Sequence, residues 1–367
     1  MSYFIYLTRY MLKLMRSGLR TTHRPLFGAC AVAAAVTIAL GPASYPGTQA
    51  TARTRPAAQS PAATLYGVAA VSARDVWAVG GTSTAAGAQS ALVKHRNGRS
   101  WVTARAAHLA GGITSAQLNG VATVSASDIW AVGVTVTGAG KPARERGLAE
   151  HWNGRAWTAV ATPDPGSPRC RSIWLSAVTA VTATDVWAVG NACKGPTQAV
   201  GPLIEHWDGR AWTAVPTPHP PGTYFQLLGV TAVSADDVWA VGDAARPGGG
   251  QQTLTERWDG RAWAQVASPD PRGAGDSTLW SVAAVSAGDV WAVGYRSDPS
   301  AISTLAEHWN GHAWATVTSP DGGWGGALTA VATVSAGDAW AVGQSLTSSV
   351  RPGTLAERWN GRAWHVS

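Results

Sequence analysis

An all-β fold of six repeated four-stranded units is what this sequence predicts, on three observations. The run Ser234-Ala235-Asp236-Asp237-Val238-Trp239-Ala240-Val241-Gly242 recurs six times almost letter for letter, placing Asp75, Asp128, Asp185, Asp237, Asp289 and Asp338 49–57 residues apart. A second signature follows each copy. Leu148 to Trp157 reads Leu-Ala-Glu-His-Trp-Asn-Gly-Arg-Ala-Trp, with relatives ending at Trp101, Trp212, Trp263, Trp314 and Trp364. Third, Val-Trp-Ala-Val-Gly is apolar at every position, so a strand there has two dry faces. Self-similarity at a period near 50 residues marks stacked repeats. A sheet dry on both sides needs a neighbour on each, which is how blades pack in a β-propeller.

The elements of one repeat follow from local sequence. In the fourth copy, Leu227 to Ser234 is branched and alternating and reads as strand a. Ser234 to Asp237 reads as a turn, because short polar side chains can bond nearby amides in place of a ladder. Val238 to Gly242 is strand b and Leu254 to Trp258 strand c. Asp259-Gly260, Asn-Gly in several other copies, is a hairpin signal of the type I′ kind, which needs positive φ at both centres. Strand d starts near Ala262-Trp263. Of the 20 tryptophans, 17 fall on repeated positions, and Phe225 is the only phenylalanine beyond residue 50. Burying ~150–250 Å² per indole at ~25 cal/mol per Å² gives several kcal/mol per ring as an upper bound. The repeated indoles are therefore expected to form the core between blades. A lectin-like aromatic array is the functional alternative.

The Glu-His-Trp-Asn-Gly-Arg-Ala-Trp hairpin and the glycine-ended Val-Trp-Ala-Val-Gly strand resemble the Kelch-type β-propeller family, with its galactose-oxidase-like central domains, over residues 65–367. The family's glycine pair survives only at Gly80-Gly81. The resemblance implies a six-bladed propeller of four-stranded antiparallel blades. The Ser-x-x-Asp-x-Trp run is also similar to the Asp-box of sialidase-like propellers, with the glycine displaced.

Residues 1–50 hold five basic residues and no acid, followed by the apolar run Leu26 to Leu40. That run suits a signal peptide, with cleavage near Thr48-Gln49-Ala50. A membrane span needs about 20 residues. An uncleaved N-terminal anchor is the alternative, and only then would the chain meet a membrane. Residues 51–64, rich in Ala, Pro and Thr, read as a flexible lead-in segment. They could lend an outer strand to the last blade; simple stacking of blade six on blade one is the other way to close the ring. The pI near 9.7 comes from the leader: from residue 65 onward, 21 basic residues face 21 acidic ones. A neutral ring without a basic stripe argues against nucleic acid. Cys170 and Cys193 flank the a–b hairpin of the third repeat, whose antiparallel pairing brings those ends together, so a disulfide is expected in an exported protein.

The a–b and c–d turns are short and alike in all copies, whereas the b–c and d–a loops differ. In a meander these two sets lie on opposite edges. A ligand site needs blade-specific residues, which points to the variable edge. There stand the non-repeat aromatics Trp174, Tyr224, Phe225, Trp280, Tyr295 and Trp324, with arginines such as Arg171. Exposed aromatics with polar neighbours suit protein or glycan contacts. Packing at the channel mouth is the alternative for Trp174 and Trp280. The repeated Glu150, Glu205, Glu256, Glu307 and Glu357 each precede a histidine or arginine, but strand neighbours point to opposite faces. These carboxylates are expected to pair with arginines of the next turn, such as Arg155 and Arg210. No cofactor or metal set is expected. The reading is a secreted, monomeric, non-catalytic binding or scaffold module for a protein or glycan. The alternative is a carbohydrate-active enzyme, lyase or glycosidase, using scattered carboxylates (Asp164, Asp243, Asp270, Asp276, Asp298) at the channel mouth.

Overall fold

The computed structural model describes residues 62–83, 88–138, 143–164, 171–194, 199–218, 224–246, 249–269, 275–298, 301–323, 325–348 and 351–367. The leader, residues 51–61 of the lead-in segment, Cys170 and Trp324 lie outside them. The fold is all-β: a six-bladed propeller of six four-stranded sheets, each a simple meander. The sheets begin at Ala62, Ile113, Ile173, Phe225, Ser277 and Gly326 and end at Ala104, Val160, Val215, Val266, Val317 and Val366. In blade four, strands a to d are Phe225–Ser234, Asp237–Ala245, Gln251–Trp258 and Trp263–Val266.

The turns use side-chain chemistry. Ser234 pairs with Asp237 across the a–b turn, and Ser234 Oγ accepts the Asp236 N–H at 3.3 Å. The c–d connection differs from a two-residue type I′ turn. Trp258 pairs with Trp263, leaving four residues between them. Asp259 Oδ1 accepts the N–H groups of Arg261 and Ala262, both at 2.9 Å, and Gly260 takes φ +88°. The aspartate side chain caps the loop amides, so the left-handed residue is the glycine. The glycine that ends Val-Trp-Ala-Val-Gly has a separate cause. Strand a bulges between Leu227 and Gly229, and a Cβ on Gly242 would sit 1.9 Å from Gln226 O.

The expected indole core is present at five junctions. Trp239 lies 4.9 Å from Trp309 and 5.3 Å, edge-on, from Trp314 of the next blade. On its own blade the Arg257 guanidinium covers the same ring at 5.1 Å while pairing with Asp237 at 2.7 Å. In blade one His95 takes that place, stacked on Trp77 at 4.0 Å and bonded to Asp75 at 2.8 Å. The repeated aspartate thus holds the cation or imidazole that lids the strand-b indole. A cation over an aromatic face contributes about 0.5–2 kcal/mol.

The repeated glutamates do not pair with Arg155 or Arg210. All five are fully buried, and three accept from the preceding blade: Glu150 from Ala107 N at 3.0 Å, Glu307 from Ser268 Oγ at 2.6 Å and Glu357 from Ser319 Oγ at 2.7 Å. Strand alternation turns each glutamate away from the exposed arginine turns and into the gap between blades, where Glu150, Glu307 and Glu357 latch one blade to the next. Neither of Glu205's oxygens has a hydrogen-bond partner.

The sixth junction is unlike the other five. Trp340 is 39% exposed, against 0–2% for its five strand-b counterparts, and Trp101 of blade one is 42% exposed. Val334 and Val68, also facing this seam by repeat position, are 71% and 60% exposed. Arg96 stands where every later blade has its strand-c tryptophan, so blade one offers Trp340 half an indole socket. Among the described residues, the last sheet has Trp364–Val366 as its outer strand, and Ala62–Thr64 pair within blade one; residues 51–61, which could lend a strand to the last blade, lie outside them.

Candidate functional site

One edge of the ring repeats a single construction. The strand-c indole N–H donates to the a–b turn carbonyl in five blades, as in Trp152 Nε1 to Ala126 O at 3.2 Å and Trp258 Nε1 to Ala235 O at 3.1 Å. In blade one Arg96 Nη1 makes the same bond to Ala73 O at 3.2 Å. The two turns are therefore neighbours on one edge, and the variable b–c and d–a loops form the other.

The blade-specific aromatics divide on that variable edge. Trp174 is buried in strand a of blade three, the ladder partner of Asn191, whose Oδ1 accepts Leu227 N of blade four at 3.2 Å. Phe225 packs on the core between blades three and four, against the cluster holding Trp187, Leu227 and Ala244. Tyr224 is half-buried, its hydroxyl accepting from the Gln226 amide. Trp280 and Tyr295, both half-buried, pack with their rings tilted, 5.0 Å apart at 44°. Arg171 is exposed; its N–H donates to Cys193 Sγ at 3.1 Å and its carbonyl accepts Glu145 N at 2.7 Å. The structure thus brings Trp280 and Tyr295 together, ties Tyr224 to Gln226, and places Trp174 and Phe225 in packing.

The Asp243 carboxyl is the feature with titratable chemistry. Its ladder partner is Gln226, whose side-chain amide meets the Tyr224 hydroxyl. Asp243 is buried, and its Oδ2 accepts Thr278 Oγ1 of blade five at 3.2 Å. Burial pushes the Asp243 carboxyl up to about 7; the Thr278 bond opposes this and the nearby Asp276 charge adds to it. A carboxyl poised near neutral pH is able to give or take a proton. Sequence reasoning placed Asp243 among scattered carboxylates and missed Gln226 and Thr278. One signal was available: the residue after each Val-Trp-Ala-Val-Gly or its variant is Gly81, Val134, Asn191, Asp243, Tyr295 or Gln344, and Asp243 alone is an acid.

A cleft of ≈ 410 Å³ opens on the same edge between blades one and two, lined by Gln89, Arg105, His108, Ile113, Thr114 and Ser115 among others. That volume is in the range of small-molecule sites. Among the described residues no three His, Cys, Asp or Glu side chains converge as metal ligands.

No family model and no curated protein matches the chain. Its likenesses are to solved structures. A protein of unknown function from Dyadobacter fermentans is 12% identical, over 80% of this chain and 92% of that one, with TM-score 0.53. An ulvan lyase of the polysaccharide lyases, bound to -[GlcA(1-4)Rha3S]-, is 9% identical over 81% and 80%, with TM-score 0.52. YCF48 from Cyanidioschyzon merolae is 14% identical over 84% and 86%, with TM-score 0.47. The first two share the fold; identities this low carry nothing about activity.

Proposed function

We propose that this chain is an exported, non-catalytic binding or scaffold module, a Kelch-like ring that takes a protein or glycan on its variable edge. The observation that supports this most is the asymmetry of the two edges. One is built six times from the same capped turns; the other carries the tilted Trp280–Tyr295 pair, the Tyr224–Gln226 contact and the cleft beside Arg105 and His108. Aromatic rings with hydrogen-bonding neighbours suit sugar faces and protein side chains alike. The second reading, a carbohydrate-active enzyme, is favoured by Asp243, whose carboxyl is raised to about 7. Against it, buried carboxylates are a structural habit of this ring, and Asn191 makes a comparable inter-blade bond at the same repeat position in blade three.

The test is a glycan and polysaccharide binding screen on the purified protein, with the same wells assayed for released product. Saturable binding that Trp280→Ala abolishes without lowering Tm supports a glycan module. Product release overturns the non-catalytic reading. Absence of both rules out the glycan arm, and a cross-linked partner lost on Trp280→Ala then identifies the protein arm.

A further inference from the structure

The cleft between blades one and two differs in charge from the same place in other blades. Three segments line it: residues 89–91 at the start of strand c in blade one, residues 105–111 after strand d, and residues 113–116 of strand a in blade two. Counted from strand d, His108 stands where blades two, four and five carry Asp164, Asp270 and Asp321. Arg105 stands where they carry Ala161, Ala267 and Thr318. Blade three has His219 there, but Pro216 in the arginine's place. The corresponding place in blade five holds a smaller cleft of ≈ 190 Å³, lined by Arg296, Thr318 and Asp321 among others. In blade two Asp164 is paired with Arg146 at 3.0 Å. Blade one therefore reverses the charge at a repeated position, and no Asp or Glu stands among the described residues that line its cleft.

The loop that carries Arg105 and His108 is held in place. Ala107 N donates to Glu150 Oε2 at 3.0 Å, and Ala104, Ala106, Ala107 and Leu109 pack on the core cluster that contains Trp77 and Leu118. Burial pushes the Glu150 carboxyl up, so it offers the loop less negative charge than an exposed acid does. Arg105 and His108 are the exposed residues in between. Among the described residues, neither the guanidinium nor the imidazole has a hydrogen bond or an ion pair. A guanidinium is a fixed positive charge whose planar fork matches the two oxygens of a carboxylate. An imidazole has a ring N–H to donate in either protonation state. The two walls are tied by Gln89 N, which donates to Ser115 Oγ at 3.0 Å. That leaves the Ser115 hydroxyl hydrogen to donate onward. Thr114 Oγ1 donates to Val136 O at 3.2 Å and keeps a lone pair for an incoming hydroxyl.

We propose that this cleft binds the oxyanion of an acidic sugar, a hexuronate carboxylate or a sulfate ester, with Arg105 and His108 as donors to the anion and Thr114 and Ser115 meeting the ring hydroxyls. The volume of ≈ 410 Å³ suits a sugar-sized ligand. One arginine and one histidine match a single oxyanion; a nucleic-acid backbone calls for a stripe of cations, which the neutral ring lacks. The site rests on the glycan arm of the binding-module reading, to which it adds the ligand's charge and its place.

The experiment is calorimetric titration of the purified protein at low ionic strength with three trisaccharides: trigalacturonate, a sulfated maltotriose and unmodified maltotriose. The expected result is saturable binding of one or both anionic sugars, and none of maltotriose. Which anion binds assigns the carboxylate or the sulfate ester. Arg105→Ala should weaken binding about tenfold or more and His108→Ala about threefold or more, the losses expected for a charged and a neutral hydrogen bond. Both side chains are exposed and unbonded, so Tm should not move. Arg155→Ala removes the same charge from an exposed turn on the opposite edge and should leave the affinity unchanged. Binding that survives in Arg105→Ala, or an equal loss in Arg155→Ala, overturns the site and leaves the binding-module reading standing. Failure of both anionic sugars to bind overturns the site as well. Product release would refute the non-catalytic reading, while Arg105-dependent binding in the same titration would still support the site.

Discussion

Glu205 makes stability fall where most proteins gain it. Both of its oxygens are buried without a partner, and burial pushes its carboxyl up to about 8 from 4.5. Between those two values the folded state holds a proton that the unfolded state has released. Stability therefore decreases as pH rises through this window, the reverse of acid denaturation by paired carboxylates. At about 1.4 kcal/mol per pH unit, the loss from pH 4.5 to 8 is roughly 4–5 kcal/mol from this residue, as an upper figure. Glu357 and Asp243, both pushed up to about 7 by burial, act in the same direction. Glu150 is raised by burial too, with the Ala107 amide opposing it. The variant is Glu205→Gln, which keeps the shape and removes the titration. Tm followed by near-ultraviolet circular dichroism from pH 5 to 8 is expected to fall in the parent protein and to fall by roughly a third less in the variant. The comparison of slopes is independent of whatever the new amide itself costs. A parent Tm that is flat or rising over this range, or a slope that Glu205→Gln leaves unchanged, would refute the reasoning.

Three further outcomes follow from the packing. Trp239→Ala removes an indole locked between Arg257 and two tryptophans and should cost about 3–5 kcal/mol, whereas Trp340→Ala, at the exposed seam, should cost less than about half of that by urea denaturation; equal losses would mean that the seam is covered in solution. Gly242→Ala forces a Cβ to within 1.9 Å of Gln226 O and should leave little folded protein by size exclusion, since backbone cannot step aside as a side chain can; a well-folded variant would show that the strand-a bulge relaxes. Cys170 and Cys193 should resist alkylation in the unreduced, unfolded protein and react after reduction; mass spectrometry showing two alkylated thiols without reductant would remove the proposed disulfide.

What the sequence determined by itself is what six copies have in common. Strand boundaries, the meander and the indole core were legible because Val-Trp-Ala-Val-Gly and Glu-His-Trp-Asn-Gly-Arg-Ala-Trp state the same local preference six times, and the repeat makes each statement checkable against the others. The capped turns followed from Ser234 and Asp259 alone, although the four-residue geometry at Asp259 depended on which backbone amides its side chain reached. The candidate site was half legible. Trp280, Tyr224 and Tyr295 were marked by falling outside the repeat, while Phe225 carried the same mark and packs in the core, because singular residues serve both uses. Tertiary structure alone decided the junctions between blades. Ser319 and Glu357 are 38 residues apart, Thr278 and Asp243 35 apart, and neither pair has a spacing that local periodicity reads. The seam lay deeper still. It required seeing that Trp340, on the same repeat position as Trp291, is 39% exposed while Trp291 is buried against Trp359 and Trp364 of the following blade.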